Sequence, residues 1–346
     1  MSHPLTRNAT LRAVDDFRML PDSSPLAEPY RMVTRRDLIQ TGGLGYLLLK
    51  NRSYAHTQTK PTTDLRIAGY LPDYRVDTLD SSQAAGLTDL VLFSVEPRKD
   101  GSLDTGNWTT RRLETSRAIA REVQSRLMLT IGGWNRSDGF AAMTENRLLR
   151  QRFLYSLFVF CEQSDIQGIV FDWEFPRGRQ EETSFEQLLI DARGRFSPSG
   201  MPVEIAVNPA RHLPRSWVDT VDTIHSMSYN SGPRHATLTQ AEADLRSFSK
   251  QGFSLNRFLL GLPFYGRSLK NQDHAITYAE IQRRFQPKSQ EDEAGGFFFN
   301  GPATLQRKVR LARKFGLEGV MIWEIGQDSR GRNSLLKKVV SASKDR

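Results

Sequence analysis

The chain has 346 residues, a formal net charge of +9, 38% hydrophobic and 25% charged residues, and one cysteine. That composition excludes a disordered, collagenous or coiled-coil chain, and the lone cysteine excludes a disulfide framework. The length suits one barrel-sized α/β domain or two ordinary ones, either able to bury a self-sufficient core. Cys161 lies in an apolar helical stretch and reads as a small buried hydrophobe. The six histidines form no HxxxH or HExxH pair, so neither a metal site nor a cofactor is expected. The basic residues are scattered rather than gathered in a stripe, which points to a solvated basic surface and away from nucleic acid as a partner.

Residues 1–33 are polar and aperiodic, with turn signals such as Pro21-Asp22-Ser23-Ser24, and are expected to be a disordered leader. In residues 34–60, Thr34-Arg35-Arg36-Asp37-Leu38-Ile39-Gln40 precedes the small, apolar run Thr41 to Leu49 and the small-x-Ala pattern Ser53-Tyr54-Ala55. This order resembles a twin-arginine export signal, which implies cleavage near His56 and a periplasmic, cell-surface or extracellular protein. The apolar run is far shorter than the roughly 20 residues that span a bilayer, so no stable membrane insertion is expected.

Residues 61–346 read as one domain. Short runs rich in Val, Ile, Leu and Phe, bounded by Gly, Asp, Pro or Asn, predict strands at Arg66 to Leu71, Asp89 to Val95, Leu127 to Ile131, Gly168 to Glu174, Val203 to Val207, Thr223 to Tyr229, Phe258 to Phe264 and Gly319 to Ile325. Helical patterns lie between most of them: Thr110 to Gln124, Glu145 to Gln163, Phe185 to Phe196, Gln240 to Lys250 and Thr304 to Phe315. Eight βα repeats predict an α/β fold, a (β/α)8 TIM barrel; an open doubly wound sheet is the alternative, but no G-x-G-x-x-G follows a strand.

A barrel carries its chemistry at the C-terminal strand ends. There the sequence places Tyr70, Trp134, Asp172, Trp173, Glu174, Tyr229, Asn230, Tyr265, Arg267, Trp323 and Glu324, whereas the strand starts show little beyond turns. Three tryptophans converging on one rim suit the apolar face of a sugar. The two-residue period sets Val170, Asp172 and Glu174 on one face, with Asp172 a layer below Glu174. Two carboxylates that close cannot both ionise easily, so Glu174 is assigned as a general acid. With no Arg or Lys seen in the strand interiors, an ion pair at Asp172 is not expected.

The segment Gly168-Ile169-Val170-Phe171-Asp172-Trp173-Glu174 resembles the D-G-x-D-x-D-W-E signature of glycoside hydrolase family 18, the chitinase family. Leu129-Thr130-Ile131-Gly132-Gly133-Trp134 resembles its S-x-G-G-W, and Met227-Ser228-Tyr229-Asn230 its M-x-Y-D. Gly261 to Arg267, Gly295 to Gly301 and Gly319 to Asp328 are similar to its later segments. The resemblance implies substrate-assisted hydrolysis of β-1,4-linked N-acetylglucosamine, an exception to the two-carboxylate scheme. Glu174 would protonate the leaving oxygen, Asp172 orient the acetamido N–H, Tyr229 bond its carbonyl and Trp323 floor the site. Tyr70, Trp134, Met227, Asn230, Tyr265 and Arg267 complete the expected binding set.

Gln167, Val170 and Asn230 stand where the family signature has acidic residues. With Val170 beneath it, Asp172 is expected to stay turned toward Glu174, and Asn230 to lessen the upward pressure on the Glu174 pKa. The expected activity is that of an exported chitinase or chitodextrinase acting as a monomer on an N-acetylglucosamine-containing polysaccharide or oligosaccharide. The competing readings are cleavage of peptidoglycan or N-glycan cores, and a non-enzymatic sugar-binding barrel. Only some 35 residues separate the seventh strand from its helix, which predicts a shallow, open groove.

Overall fold

In the computed structural model, which describes residues 64–345, the apolar runs form parallel strands β1 (Arg66–Pro72), β2 (Asp89–Pro97), β3 (Arg126–Gly132), β4 (Ile169–Asp172), β5 (Val203–Val207), β6 (Thr223–Ser226), β7 (Phe258–Pro263) and β8 (Gly319–Trp323). Each pairs with its neighbours in the chain, and β1 pairs with both β2 and β8, which closes the sheet into a (β/α)8 barrel. The expected disordered leader and export signal lie outside the described residues.

Alternate residues separate into two cores, as the period of a strand requires. Ala68, Tyr70, Val91, Phe93, Met128, Val170, Leu259 and Met321 fill the barrel interior. Ile67, Leu90, Leu92, Leu129, Phe171, Leu260 and Ile322 point outward beneath the helices. Burial on both faces is why the strands read as continuous apolar runs rather than as alternating ones.

The helices are α1 (Thr110–Glu122), α2 (Phe140–Glu145), α3 (Arg147–Gln163), α4 (Gly178–Phe196), α5 (Arg215–Thr220), α6 (Leu238–Lys250), α7 (Tyr278–Phe285), α8 (Pro302–Lys314) and α9 (Leu335–Lys344). The single helix expected over Glu145 to Gln163 is split from α2 at Asn146, whose extended backbone lets its side chain accept the N–H groups of Leu148 and Leu149. Helix α4 begins at Gly178 rather than Phe185, because its first turns carry polar residues with no apolar period to reveal them. Between β7 and α8, four short antiparallel strands (Tyr265–Ser268, Ala275–Thr277, Glu293–Ala294, Phe297–Phe298) form a small sheet next to α7. Among the described residues no helix is long and apolar enough to cross a membrane.

The strand starts hold more than turns, which corrects the expectation drawn from sequence. Arg66, the first residue of β1, is only 8% exposed. Its guanidinium lies 2.7 Å from Asp89, 2.9 Å from Glu204 and 3.2 Å from Glu318, and it donates to Thr223 at 3.1 Å. A strand interior therefore does hold an arginine. A buried cation persists only when carboxylates surround it, and here they come from the starts of β2 and β5 and the residue before β8.

Candidate active site

The site begins with a turn that only glycine can make. Gly132 and Gly133, at the end of β3, have φ of +88° and +105°. A Cβ on Gly132 would lie 2.5 Å from the carbonyl oxygen of Asp172. The close approach lets the Gly133 N–H donate to that oxygen at 2.6 Å. The turn then carries Trp134 to the rim, 67% exposed, and returns at Ser137. Strand β4 ends at Asp172, so Glu174 is held by Ser137 rather than by sheet pairing. The Ser137 hydroxyl accepts the Glu174 N–H at 3.1 Å and donates to the Gly133 carbonyl at 3.0 Å.

A cavity of about 620 Å³ opens at these strand ends, and every residue assigned to the site from sequence lines it: Tyr70, Trp134, Asp172 and Glu174; Met227, Tyr229 and Asn230 beyond β6; Tyr265 and Arg267 beyond β7; and Trp323 at the end of β8. The Trp323 ring meets Phe93 edge-on at 4.6 Å and lies 5.7 Å from Tyr70, which makes an aromatic floor. The lining also includes Asn208 and Gln327, which follow the ends of β5 and β8 and which strand-end position could have flagged, and the barrel-interior residues Phe93 and Met321, which it could not. Arg267 and Ala275 lie on the small inserted sheet and Asp273 on the turn between those two strands, so the insertion walls the cavity despite its brevity. Trp173 is a correction: it is buried and stacks on Phe140 at 5.0 Å, facing away from the cavity.

The two carboxyl groups are electrostatically unlike ordinary surface acids. Burial raises Glu174 to about 7, opposed by a backbone hydrogen bond from Trp134. Burial, and then the Glu174 charge, push Asp172 well above the usual carboxylate range. Among the described residues Asp172 Oδ1 has no hydrogen-bond partner. Tyr229 is buried against Met321, its hydroxyl 3.9 Å from the sulfur, and Tyr265 donates to Asn230 Oδ1 at 2.5 Å. Two other carboxylates near the strand ends are engaged elsewhere. Glu324 is fully buried against Arg75 at 3.1 Å, and Glu96 lies 3.7 Å from Arg136. Neither lines the cavity. No cluster of three His, Cys, Asp or Glu among the described residues is placed to hold a metal ion.

The family model for glycosyl hydrolases family 18 matches residues 66–328, the whole barrel from β1 past β8. The chain belongs to glycosyl hydrolase family 18. Among the relatives of this family 18 chain, "Probable chitinase 2" of Drosophila melanogaster is 24% identical over 323 residues, an alignment that covers 74% of the chain and 65% of the relative. The chain thus spans just under two thirds of that relative's length. A chitinase from the chitin utilization locus of Flavobacterium johnsoniae shares the fold with a TM-score of 0.73 at 20% identity, covering 82% of this chain and 94% of that one. A Cycas revoluta chitinase, solved in complex with (GlcNAc)3, gives 0.69 at 19% identity, covering 80% and 98%.

Proposed function

We propose that the protein hydrolyses β-1,4-linked N-acetylglucosamine oligomers or polymers by a retaining, substrate-assisted mechanism. The observation that carries this reading is a buried, unpartnered carboxylate oxygen on Asp172 beside a Glu174 raised to about 7. An acid of that pKa holds a proton near neutrality and can still release it. The sugar lies on the Trp323 floor with its acetamido N–H on Asp172 and its carbonyl oxygen, oriented by Tyr229, against the anomeric carbon. Glu174 gives its proton to the leaving oxygen as the carbonyl oxygen attacks, which breaks the glycosidic bond and closes an oxazolinium ring. Asp172 stabilises the positive charge on the ring nitrogen. Water, deprotonated by Glu174, then opens the ring with net retention and restores both groups.

This chemistry needs one proton-transferring carboxyl group and no covalent enzyme nucleophile, in keeping with the engagement of Glu96 and Glu324 elsewhere. The test is to incubate the protein with chitin oligomers, peptidoglycan and a glycopeptide and to weigh the products. Cleavage of the chitin oligomers supports the reading; cleavage of only one of the others moves the substrate within the family, and no cleavage of any refutes it. We further propose export by the twin-arginine route, on the order Arg35-Arg36, apolar run and Ala55. Exchange of both arginines for lysine should then abolish export, and unchanged export would refute it.

A further inference from the structure

Beneath the cavity a line of hydrogen bonds runs down the barrel axis. The Tyr70 hydroxyl lies 2.8 Å from His225 Nδ1, and His225 Nε2 lies 2.7 Å from Glu204 Oε2. Glu204 is held in turn by Arg66 at 2.9 Å. Tyr70, His225 and Glu204 are all buried, at 2%, 0% and 1% exposure. None of this line is needed to pair Asp172, whose neighbour below on β4 is the apolar Val170.

The direction of the line follows from its lower end. Burial works against a charge on Glu204, but the Arg66 guanidinium and the His225 hydrogen bond outweigh it and hold the carboxyl below its usual range. An ionised carboxylate can only accept, so His225 Nε2 carries a hydrogen toward it; where the ring is neutral, Nδ1 is an acceptor. With that neutral ring Tyr70 donates downward. Tyr70 and Asp172 line the same cavity. A phenol hydrogen turned up into that cavity would compete with the sugar for Asp172.

We propose that His225 and Glu204 are positioning residues that commit the Tyr70 hydrogen away from the cavity, so that Asp172 keeps a free carboxylate oxygen for the acetamido N–H of the substrate. This rests on the substrate-assisted reading above.

The experiment is a variant series on chitin tetramer with separate kcat and KM, with thermal melts to verify folding. His225→Leu should lower kcat about tenfold with little change in KM. His225→Gln should recover most of it, since its amide can donate to Glu204 and accept from Tyr70. Adding His225→Leu to Tyr70→Phe should cause no further loss, because the competing hydroxyl is already gone. Equal losses in both backgrounds, or a glutamine variant as poor as the leucine one, would overturn the proposal. A second arm does not depend on turnover: ¹⁵N NMR of the histidines, with His225→Gln to assign the signal, should show a neutral Nε2–H ring whose Nδ1 shift moves in Tyr70→Phe. A doubly protonated ring or an Nδ1–H tautomer would overturn it. Absence of wild-type cleavage alongside the expected tautomer would instead fault the substrate-assisted reading.

Discussion

Tyr265 donates its hydroxyl hydrogen to Oδ1 of Asn230 at 2.5 Å, and that bond seats an uncharged amide in the cavity where the family signature has an aspartate. Asn230 has φ of +64°, a left-handed conformation that Asp also tolerates, so Asn230→Asp can be made without backbone strain. The added negative charge disfavours ionisation of Glu174, raising its pKa from about 7. The alkaline limb of the kcat/KM profile should therefore move up by roughly half a unit to one unit. A limb that stays in place or moves down would show that Asn230 is electrostatically remote from the acid.

Wild-type kcat/KM should itself fall above pH 7, about tenfold per unit, since Glu174 is raised to about 7 and must be protonated to act. Glu174→Gln keeps the shape and removes the transferable proton, and should lower kcat by about 10² to 10⁴. Near wild-type turnover in that variant would contradict the assignment of the acid.

The same substitution should stabilise the fold. A carboxyl whose folded pKa lies above its unfolded value binds a proton more tightly when folded, so its destabilising effect grows as pH rises from about 4.5 and is complete above about 7. Glu174→Gln should therefore be more stable than wild type at pH 8, by roughly 2 to 3 kcal/mol, and little different at pH 4. Urea unfolding at both values checks this, and equal stability at pH 8 would contradict it.

Arg66 neutralises carboxylates that have almost no access to water: Asp89 at 0% and Glu204 at 1% exposure. Arg66→Met should cost about 3 to 5 kcal/mol, because it leaves those charges buried and uncompensated. Lysine should rescue only part, since a single ammonium cannot repeat the fork that reaches Asp89, Glu204 and Glu318. A loss below about 1 kcal/mol in denaturant titration would show that the network is dispensable.

What could be read in advance follows from how locally each feature is encoded. The strands were legible because helices and barrel interior bury both their faces, which writes an apolar run at each. The carboxylates were legible because Asp172 and Glu174 stand two residues apart on one short segment. Trp173 was misplaced although the parity that turns Asp172 inward also turns Trp173 outward, where it stacks on Phe140. The Arg66 network and the Tyr70–His225–Glu204 line were not legible, since each joins residues from different strands that only the closed barrel brings together. The hold of Ser137 on Glu174 likewise depends on the return of the chain after Gly133.

The most direct measurement compares a fully acetylated chitin tetramer with chitosan tetramers bearing a free amine at defined positions, with products identified by mass. We expect cleavage only where the sugar on the non-reducing side of the broken bond keeps its acetamido group, because a free amine cannot close the oxazolinium ring. Hydrolysis of bonds following a glucosamine residue, or a covalent glycosyl adduct trapped on the protein, would contradict substrate-assisted catalysis.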